Sequence, residues 1–241
     1  TRGLGRSIAA ALAGAGCRVT VCGRTQPDSL PDGLHFAPAD VRDADQARAL
    51  VDAVVEREGS IDIVVNNAGG SPATDVATAS PRFVDATPKL NPVAPLYLAQ
   101  AAHRHMAAAG GGSIINIASV SGIRPSPGTA IYGAAKAGLL NLTQSLAAEW
   151  GRDNIRVNAI IAGLMATENA EATYGDAEAQ ARVGASMPLG RMGSGNDLAG
   201  AVLWLASPMA AWVSGARINV AGGGERPYFL DLIKGAGPDG G

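Results

Sequence analysis

Tyr132 and Lys136 carry the clearest chemical signal in this sequence. Their four-residue spacing places a phenol and an ammonium group on one face of a helix. A free phenol has a pKa of about 10 and is a poor proton carrier at neutral pH. A nearby cation stabilises the phenolate, so we expect Lys136 to lower the pKa of Tyr132 and make it a general acid or base. On this spacing alone, a surface pair without a chemical role is the alternative.

Further polar residues follow short apolar runs. Ser119 comes directly after the run 114–118, and residues 66–69 (Asn-Asn-Ala-Gly) end another run. Ligands of open α/β sheets bind at the carboxyl ends of the strands. A hydroxyl at Ser119 could therefore hold a substrate carbonyl oxygen, and the small residues after Asn67 would let a cofactor ring lie against the backbone. Asn91 precedes an apolar helix and on its own indicates a helix cap.

The glycine-rich start of the chain indicates nucleotide binding. Gly3 and Gly5 precede an alanine-rich helix, where free N–H groups and the helix dipole favour a pyrophosphate. In dinucleotide folds an acid after the next strand binds the ribose 2′-hydroxyl, whereas an arginine accepts a 2′-phosphate. Residues 20–25 contain no acid and one arginine, Arg24. This favours NADP(H) over NAD(H), with Arg2 as a second positive charge; a plain turn and a solvated arginine are the alternatives.

The elements that must position these residues alternate along the chain. Apolar runs predict strands over 18–23, 34–37, 61–66, 113–118, 155–161 and 216–220. Helices are predicted near 5–16, 43–58, 92–109, 130–151 and 196–206. Continuous apolar strands that alternate with helices indicate an α/β fold with a doubly wound parallel sheet, here as one domain over 1–241.

Other segments give weaker expectations. Residues 71–90 and 162–195 look irregular, and the second is expected to form a lid whose methionines favour apolar substrates. Residues 235–241 look like a flexible tail. The strand that should precede the glycine loop is not in this sequence. We therefore expect the natural chain to carry roughly a dozen further residues upstream, enough for a strand of about five or six.

Composition excludes several functional classes. A net charge of −2 gives no general attraction to nucleic acids or anionic membranes, and no apolar run is long enough to span a bilayer. Cys17 and Cys22 form no disulfide framework, which favours a reducing compartment such as the cytoplasm. His103 and His105 are two residues apart on a predicted helix, so they do not share a face and predict no metal site.

Taken together, these motifs resemble the classical short-chain dehydrogenase/reductase family. The resemblance runs through residues 2–5, Asp40 with Val41, residues 66–69, Asn91, Ser119, Tyr132 with Lys136, residues 158–163, residues 188–191 and residues 215–223. It covers nearly the whole chain in the family's order. The sequence departs from the family where Ala162 stands before Gly163 in place of proline, and where Ala221 replaces an acid. Pro92 directly after Asn91 is also expected to shift the local geometry that holds this asparagine.

The resemblance implies a role for each matching residue. Tyr132 would donate the proton in carbonyl reduction and accept it in alcohol oxidation, while Lys136 would lower its pKa and hold the nicotinamide ribose. Ser119 would position the substrate oxygen, and Asn91 would shape a water relay behind Lys136. The implied cofactor-binding residues are Arg2, Gly3, Leu4, Gly5, Arg24, Asp40, Val41, Asn67, Ala68, Gly69, Tyr132, Lys136, Leu164 and Thr167.

The sequence thus predicts an NADP(H)-dependent oxidoreductase that acts on a small-molecule carbonyl or secondary alcohol, without a metal. Oxoacyl thioesters, steroids, sugars and simple ketones all stay open as substrates. An NAD(H)-dependent alcohol dehydrogenase is one alternative, and a non-catalytic nucleotide-binding or scaffold member of the same fold is another. The family resemblance also implies a homotetramer or a dimer.

Overall fold

A computed structural model describes residues 2–168 and 170–227. The strands are β1 (Val19–Gly23), β2 (Leu34–Pro38), β3 (Ile63–Asn66), β4 (Gly112–Ser119), β5 (Ile155–Ala162) and β6 (Arg217–Val220). The α-helices are α1 (Gly3–Gly14), α2 (Ala44–Glu58), α3 (Pro81–Pro88), α4 (Ala94–Ala108), α5 (Ala130–Trp150), α6 (Ala170–Tyr174), α7 (Ala177–Ser186) and α8 (Gly195–Ala206). The tail predicted over 235–241 lies outside the described residues.

All strand pairs are parallel, as the α/β prediction requires. β1 pairs with β2, and β3, β4, β5 and β6 form a second sheet in that order. The central strands β4 and β5 are buried almost throughout because helices cover both faces of the sheet. Leu198 and Val202 of α8 and Ile160 of β5 are fully buried in the main core. The α/β class is therefore confirmed, with the parallel strands divided between two sheets.

A cavity separates the two sheets. It has a volume of about 600 Å³ and lies between β1 and β3, where apolar side chains such as Leu12, Val21 and Val64 line it. Residues 2–168 and 170–227 place no strand in this space, so each of the two facing strand edges lacks a ladder partner there. The side-chain oxygen Oδ1 of Asn66, at the end of β3, is buried and has no hydrogen-bond partner among the described residues.

The two segments expected to be irregular contain helices. α3 begins at Pro81, and the Ser80 hydroxyl accepts a hydrogen bond from the Phe83 amide. α7 is capped in the same way by Asp176. These Ser-Pro and Asp start signals mark helix N-termini, so the prediction of irregular structure over 71–90 and 162–195 was wrong for these parts. Among the described helices, none is long and apolar enough to cross a membrane.

Candidate active site

Ser119, Tyr132 and Lys136 come together at the carboxyl end of β4. Ser119 is the last residue of this strand, and its hydroxyl accepts a hydrogen bond from the Ser121 amide at 3.2 Å. The chain then makes a short 3₁₀ turn and enters α5, whose first two turns carry Tyr132 and Lys136. The structure therefore places the three side chains at the edge of the sheet where ligands of parallel α/β folds bind.

The Tyr132 phenol is mostly buried beside Ser119. Burial raises its pKa above the ordinary value, and the hydrogen bond with Ser119 lowers it by a smaller amount. The Lys136 ammonium nitrogen lies 5.6 Å from the centre of the Tyr132 ring. The pKa of the phenol is therefore raised overall in this structure, and a lowering by Lys136 stays a prediction.

Lys136 is almost completely buried, with 3% of its surface exposed. Its ammonium group donates a hydrogen bond to the Ile117 carbonyl of β4 at 2.8 Å. Burial lowers its pKa to about 8, since a charged ammonium is costly in an apolar environment. This one hydrogen bond fixes the position of the ammonium between β4 and α5.

Asn91 is fully buried in a π-helical turn between α3 and α4. Its amide nitrogen donates to the carbonyls of Gly70 and Thr87, and its Oδ1 accepts from the Gly70 amide at 3.1 Å. The helix-cap reading of Asn91 was wrong, because α4 begins only at Ala94 and the side chain binds the loop after β3 instead. The π turn that accompanies Pro92 directs Asn91 to that loop.

The Gly69 backbone lies against the side chains of both Asn91 and Lys136. A Cβ atom at Gly69 would lie 2.9 Å from Asn91 Oδ1 and 2.9 Å from Lys136 Nζ. These separations are too short for a methyl group, so the close approach of the three residues requires a glycine. The loop after β3, the π turn and α5 therefore converge on one point beside the catalytic candidates.

The N-terminus of α1 meets two other elements. The Gly3 amide donates a hydrogen bond to the Glu168 carboxylate at 3.1 Å, and Thr167 lies beside Gly3. A Cβ atom at Gly5 would lie 2.6 Å from Asn67 Nδ2. Sequence reasoning placed Gly3, Gly5, Asn67 and Thr167 at one site, which the structure brings together, but it missed Glu168. The sequence signal that could have identified Glu168 is its position next to Thr167, a predicted cofactor-binding residue.

A cluster of charged residues lies near the ends of β1 and β2. The Asp40 carboxylate forms a bidentate ion pair with Arg42, with an Nη2–Oδ2 distance of 2.5 Å and an Nε–Oδ1 distance of 2.9 Å. The hydrogen bonds from Arg42 lower the pKa of Asp40 to about 2, and the positive charge of Arg24 contributes a smaller part. Arg24 follows β1 and is exposed, whereas Val41 is buried beside this pair. Sequence reasoning missed Arg42.

A second ion pair involves the loop between β4 and α5. Arg124 follows the 3₁₀ turn after Ser119, and its guanidinium binds Glu225 through Nε at 2.5 Å and Nη2 at 2.6 Å. The Tyr174 phenol, at the end of α6, hydrogen-bonds to the Met165 backbone, and its pKa is raised chiefly by burial. The charges of Glu225 and Arg124 both act on the pKa of Tyr174, and Tyr174 in turn raises the pKa of Tyr132. Sequence reasoning identified none of these three residues as part of a site.

The described residues fit a nicotinamide dinucleotide. The first turn of α1 offers backbone amides for phosphates, of which the Gly3 amide is bound by Glu168, and Arg2, at the N-cap, makes no side-chain cap hydrogen bond. Because Gly5 and Gly69 have no side chains, the space next to Asn67 and Lys136 stays open. Of the other implied contacts, Leu4 packs against the core and the Leu164 carbonyl accepts a hydrogen bond from the Gly193 amide.

Comparisons with known proteins identify relatives over nearly the whole chain. A family model described as enoyl-(acyl carrier protein) reductase matches residues 1–225. The 2-dehydro-3-deoxy-D-gluconate 5-dehydrogenase of Escherichia coli K12 is 37% identical over 92% of this chain and 90% of its own length. The L-rhamnose 1-dehydrogenase (NAD(P)(+)) of Azotobacter vinelandii is 35% identical over 92% of this chain and 93% of its own.

A solved structure gives the same result. The gluconate 5-dehydrogenase of Burkholderia cenocepacia J2315, crystallised with NADP and tartrate, has a TM-score of 0.84 and 33% identity to this chain. The match covers 92% of this chain and 91% of the crystallised one. The sequence motifs, the parallel α/β fold and the relatives agree, and the chain therefore belongs to the short-chain dehydrogenase/reductase family of oxidoreductases.

Proposed function

We propose that this protein is an NADP(H)-dependent dehydrogenase or reductase that interconverts a secondary alcohol and a carbonyl compound. The observation that carries the proposal is the arrangement of Ser119, Tyr132 and Lys136, in which a hydroxyl, a phenol and a buried ammonium lie side by side. A protein that only binds nucleotides has no need for a phenol between a hydroxyl and a cation.

Each of the three side chains has a distinct role in this proposal. Ser119 donates a hydrogen bond to the substrate oxygen and holds it next to the Tyr132 phenol. In reduction Tyr132 gives its proton to that oxygen, and in oxidation it removes the proton from the substrate hydroxyl. Because the pKa of the phenol lies above its ordinary value, Tyr132 is protonated at neutral pH, as a proton donor in reduction must be.

Lys136 and Asn91 support this proton transfer. The ammonium of Lys136 stabilises the phenolate that forms when Tyr132 gives up its proton. Asn91 holds the loop after β3 through Gly70 and shapes the polar space behind Lys136, in which a water relay would connect to solvent. The nicotinamide dinucleotide, when bound, supplies or accepts the hydride.

The charges near β1 and β2 support a preference for NADP(H). Arg24, exposed directly after β1, would attract a ribose 2′-phosphate, and Arg2 would add a second positive charge near the α1 N-terminus. Asp40 would repel that phosphate, but its charge is balanced by Arg42. One relative supports the use of NADP, because the gluconate 5-dehydrogenase was crystallised with it, while the name of another, with NAD(P)(+), is compatible with either cofactor.

A polyhydroxylated small molecule is the substrate class that the three relatives described above favour. Their names refer to a sugar and to sugar acids. The methionines of the lid, which suggested apolar substrates, are instead buried in packing contacts, with Met165 at 7% exposure, Met187 at 5% and Met192 at 9%. They give no support to an apolar substrate.

The same proposal includes a single catalytic domain, a homo-oligomer and a cytoplasmic location. Trp212 is fully exposed and Met209 is 84% exposed at the end of α8, which leaves apolar surface for a second copy to cover. Cys17 and Cys22 are free, as expected in a reducing compartment.

The test is the Tyr132→Phe variant, assayed with NADPH and a panel of hydroxyketones. We expect turnover to fall by about 10²–10⁴-fold, because the proton donor is lost, while NADPH binding measured by fluorescence stays nearly unchanged. Tyr97→Phe in α4 is the matched control and should keep full activity. Equal turnover by Tyr132→Phe and the wild type would overturn the role of Tyr132, and NADPH binding without any turnover by the wild type would favour the non-catalytic alternative.

A further inference from the structure

We propose that Arg124 binds a carboxylate group of the substrate, so that the protein acts on polyhydroxylated acids in preference to neutral sugars. This inference rests on the proposed function, because it concerns the substrate of the same site. It is drawn from the position of Arg124, from the geometry of its ion pair and from its neighbours.

The loop that carries Arg124 is fixed against the helix that carries Tyr132. A Cβ atom at Gly122 would lie 2.8 Å from the Lys136 carbonyl carbon, and one at Gly133 would lie 2.7 Å from the Ser121 carbonyl oxygen. This close backbone packing leaves little freedom between the loop and α5. Arg124 therefore has a defined position relative to Ser119, five residues earlier, and to Tyr132, eight residues later.

The guanidinium of Arg124 already holds a carboxylate in a bidentate arrangement. Nε and Nη2 bind the two oxygens of Glu225, while Nη1 donates to the Pro125 carbonyl at 2.9 Å. Two parallel N–H···O contacts are the geometry in which arginine recognises a carboxylate. The Glu225 carboxylate thus shows where an acid group fits, and it stands in for the carboxylate of a substrate.

This ion pair is accessible and acts electrostatically on a neighbour of the catalytic phenol. The Arg124 side chain is 37% exposed and that of Glu225 is 34% exposed, so a dissolved acid can reach the guanidinium and replace Glu225. Tyr174 connects the pair electrostatically with Tyr132, since both charges act on Tyr174 and Tyr174 acts on Tyr132. A substrate whose hydroxyl binds at Ser119 and Tyr132 could therefore direct its acid group at Arg124.

A purely structural role is the competing explanation. Glu225 belongs to the segment after β6, and the ion pair could simply clamp this segment onto the loop after β4. A clamp would affect all substrates equally, whereas carboxylate recognition affects only acids. The two explanations therefore differ in an experiment with two substrates that share every hydroxyl and differ only in charge.

The experiment compares D-gluconate with D-gluconamide for the wild type, Arg124→Met and Glu225→Gln. We expect Arg124→Met to lower kcat/KM for gluconate by about ten- to hundredfold, mainly through KM, because a charge-assisted bidentate contact is lost. The same variant should leave the amide nearly unaffected. Glu225→Gln should lower KM for gluconate, because it removes the competing carboxylate. Arg182→Met, which breaks an exposed ion pair on α7, is the control and should change neither substrate.

Calorimetric titration of gluconate into the protein gives a second readout that does not need turnover. Binding that is lost in Arg124→Met and kept in Arg182→Met would support the inference even if gluconate is not oxidised. Equal losses for acid and amide would indicate a clamp and overturn it, as would gluconate binding that does not depend on Arg124. Failure of the proposed function is distinct: the protein would then transfer no hydride to or from any substrate, with or without Arg124.

Discussion

Lys136 places its ammonium nitrogen 5.6 Å from the centre of the Tyr132 ring, and both groups are held by hydrogen bonds that start from β4, at Ile117 and Ser119. The strand thus sets the separation between the proton carrier and the cation that assists it. Burial acts in opposite directions on the two residues: it raises the pKa of Tyr132 and lowers that of Lys136. Each group is therefore shifted toward its neutral form.

The pKa of Lys136 has a consequence for stability. The unfolded lysine binds its proton up to its ordinary value of 10.5, while the folded one releases it near 8. Between these values the unfolded state holds more protons, so the free energy of unfolding rises with pH. We expect the free energy of unfolding of the wild type in urea, measured relative to that of Lys136→Met, to rise by up to about 3 kcal/mol from pH 8 to 10.5. A flat difference would contradict the burial of the ammonium.

Glu168 is expected to oppose cofactor binding. Its carboxylate occupies the Gly3 amide at the α1 N-terminus, where a pyrophosphate would bind and would be repelled by the same charge. Glu168→Gln should tighten NADPH binding by about two- to fivefold in a fluorescence titration, with a similar gain for ADP. Glu171→Gln on the neighbouring α6 should have no effect. Weaker binding by Glu168→Gln would mean that this side chain assists the cofactor.

Gly69 is expected to tolerate no side chain. The methyl group of Gly69→Ala would press on Asn91 Oδ1 and Lys136 Nζ, which must then move. We expect kcat to fall by about 10- to 100-fold, since small displacements of catalytic groups are costly. Gly138→Ala in α5 is the control: nothing lies within 4 Å of that position, so it should keep activity and add about 0.5–1 kcal/mol of stability. Full activity of Gly69→Ala would show that the site can adapt.

The arginines near β1 and β2 should set cofactor preference. Arg24→Ala should weaken NADPH binding by about tenfold and leave NADH nearly unchanged, because only NADPH carries the 2′-phosphate. Arg42→Ala should shift preference toward NADH as well, since it leaves the Asp40 charge unbalanced. Arg48→Ala on α2 is the control for the loss of a surface arginine. Parallel losses for both cofactors would contradict a 2′-phosphate site.

Local sequence signals predicted much of the fold. The alternating apolar runs located all six described strands and the five helices that cover them to within a few residues, because buried parallel strands require continuous apolar residues. The helices α3, α6 and α7 were missed, since they are short, with 8, 5 and 10 residues. Their start signals at Ser80 and Asp176 were visible in the sequence but were read as loop residues.

Site residues that lie close together in sequence and form motifs were predicted, whereas those that are far apart in sequence and meet only in the fold were missed. Ser119, Tyr132 and Lys136 lie within eighteen residues of one another and follow a known pattern. Arg124 and Glu225 are 101 residues apart, and no local pattern links them. The direction of the Tyr132 pKa was also beyond the sequence, because it depends on how deeply the phenol is buried and not on its spacing from Lys136.

The cavity between β1 and β3 affects how firmly a cofactor can be held. Arg24 follows β1, on one side of this cavity, and Asn67 follows β3, on the other side. Among the described residues, no ladder of hydrogen bonds joins these two strands. Contacts of α1 with α8 and of α2 with α4 connect the two sides of the cavity. A dinucleotide that contacts both Arg24 and Asn67 would therefore link the two sheets across the cavity.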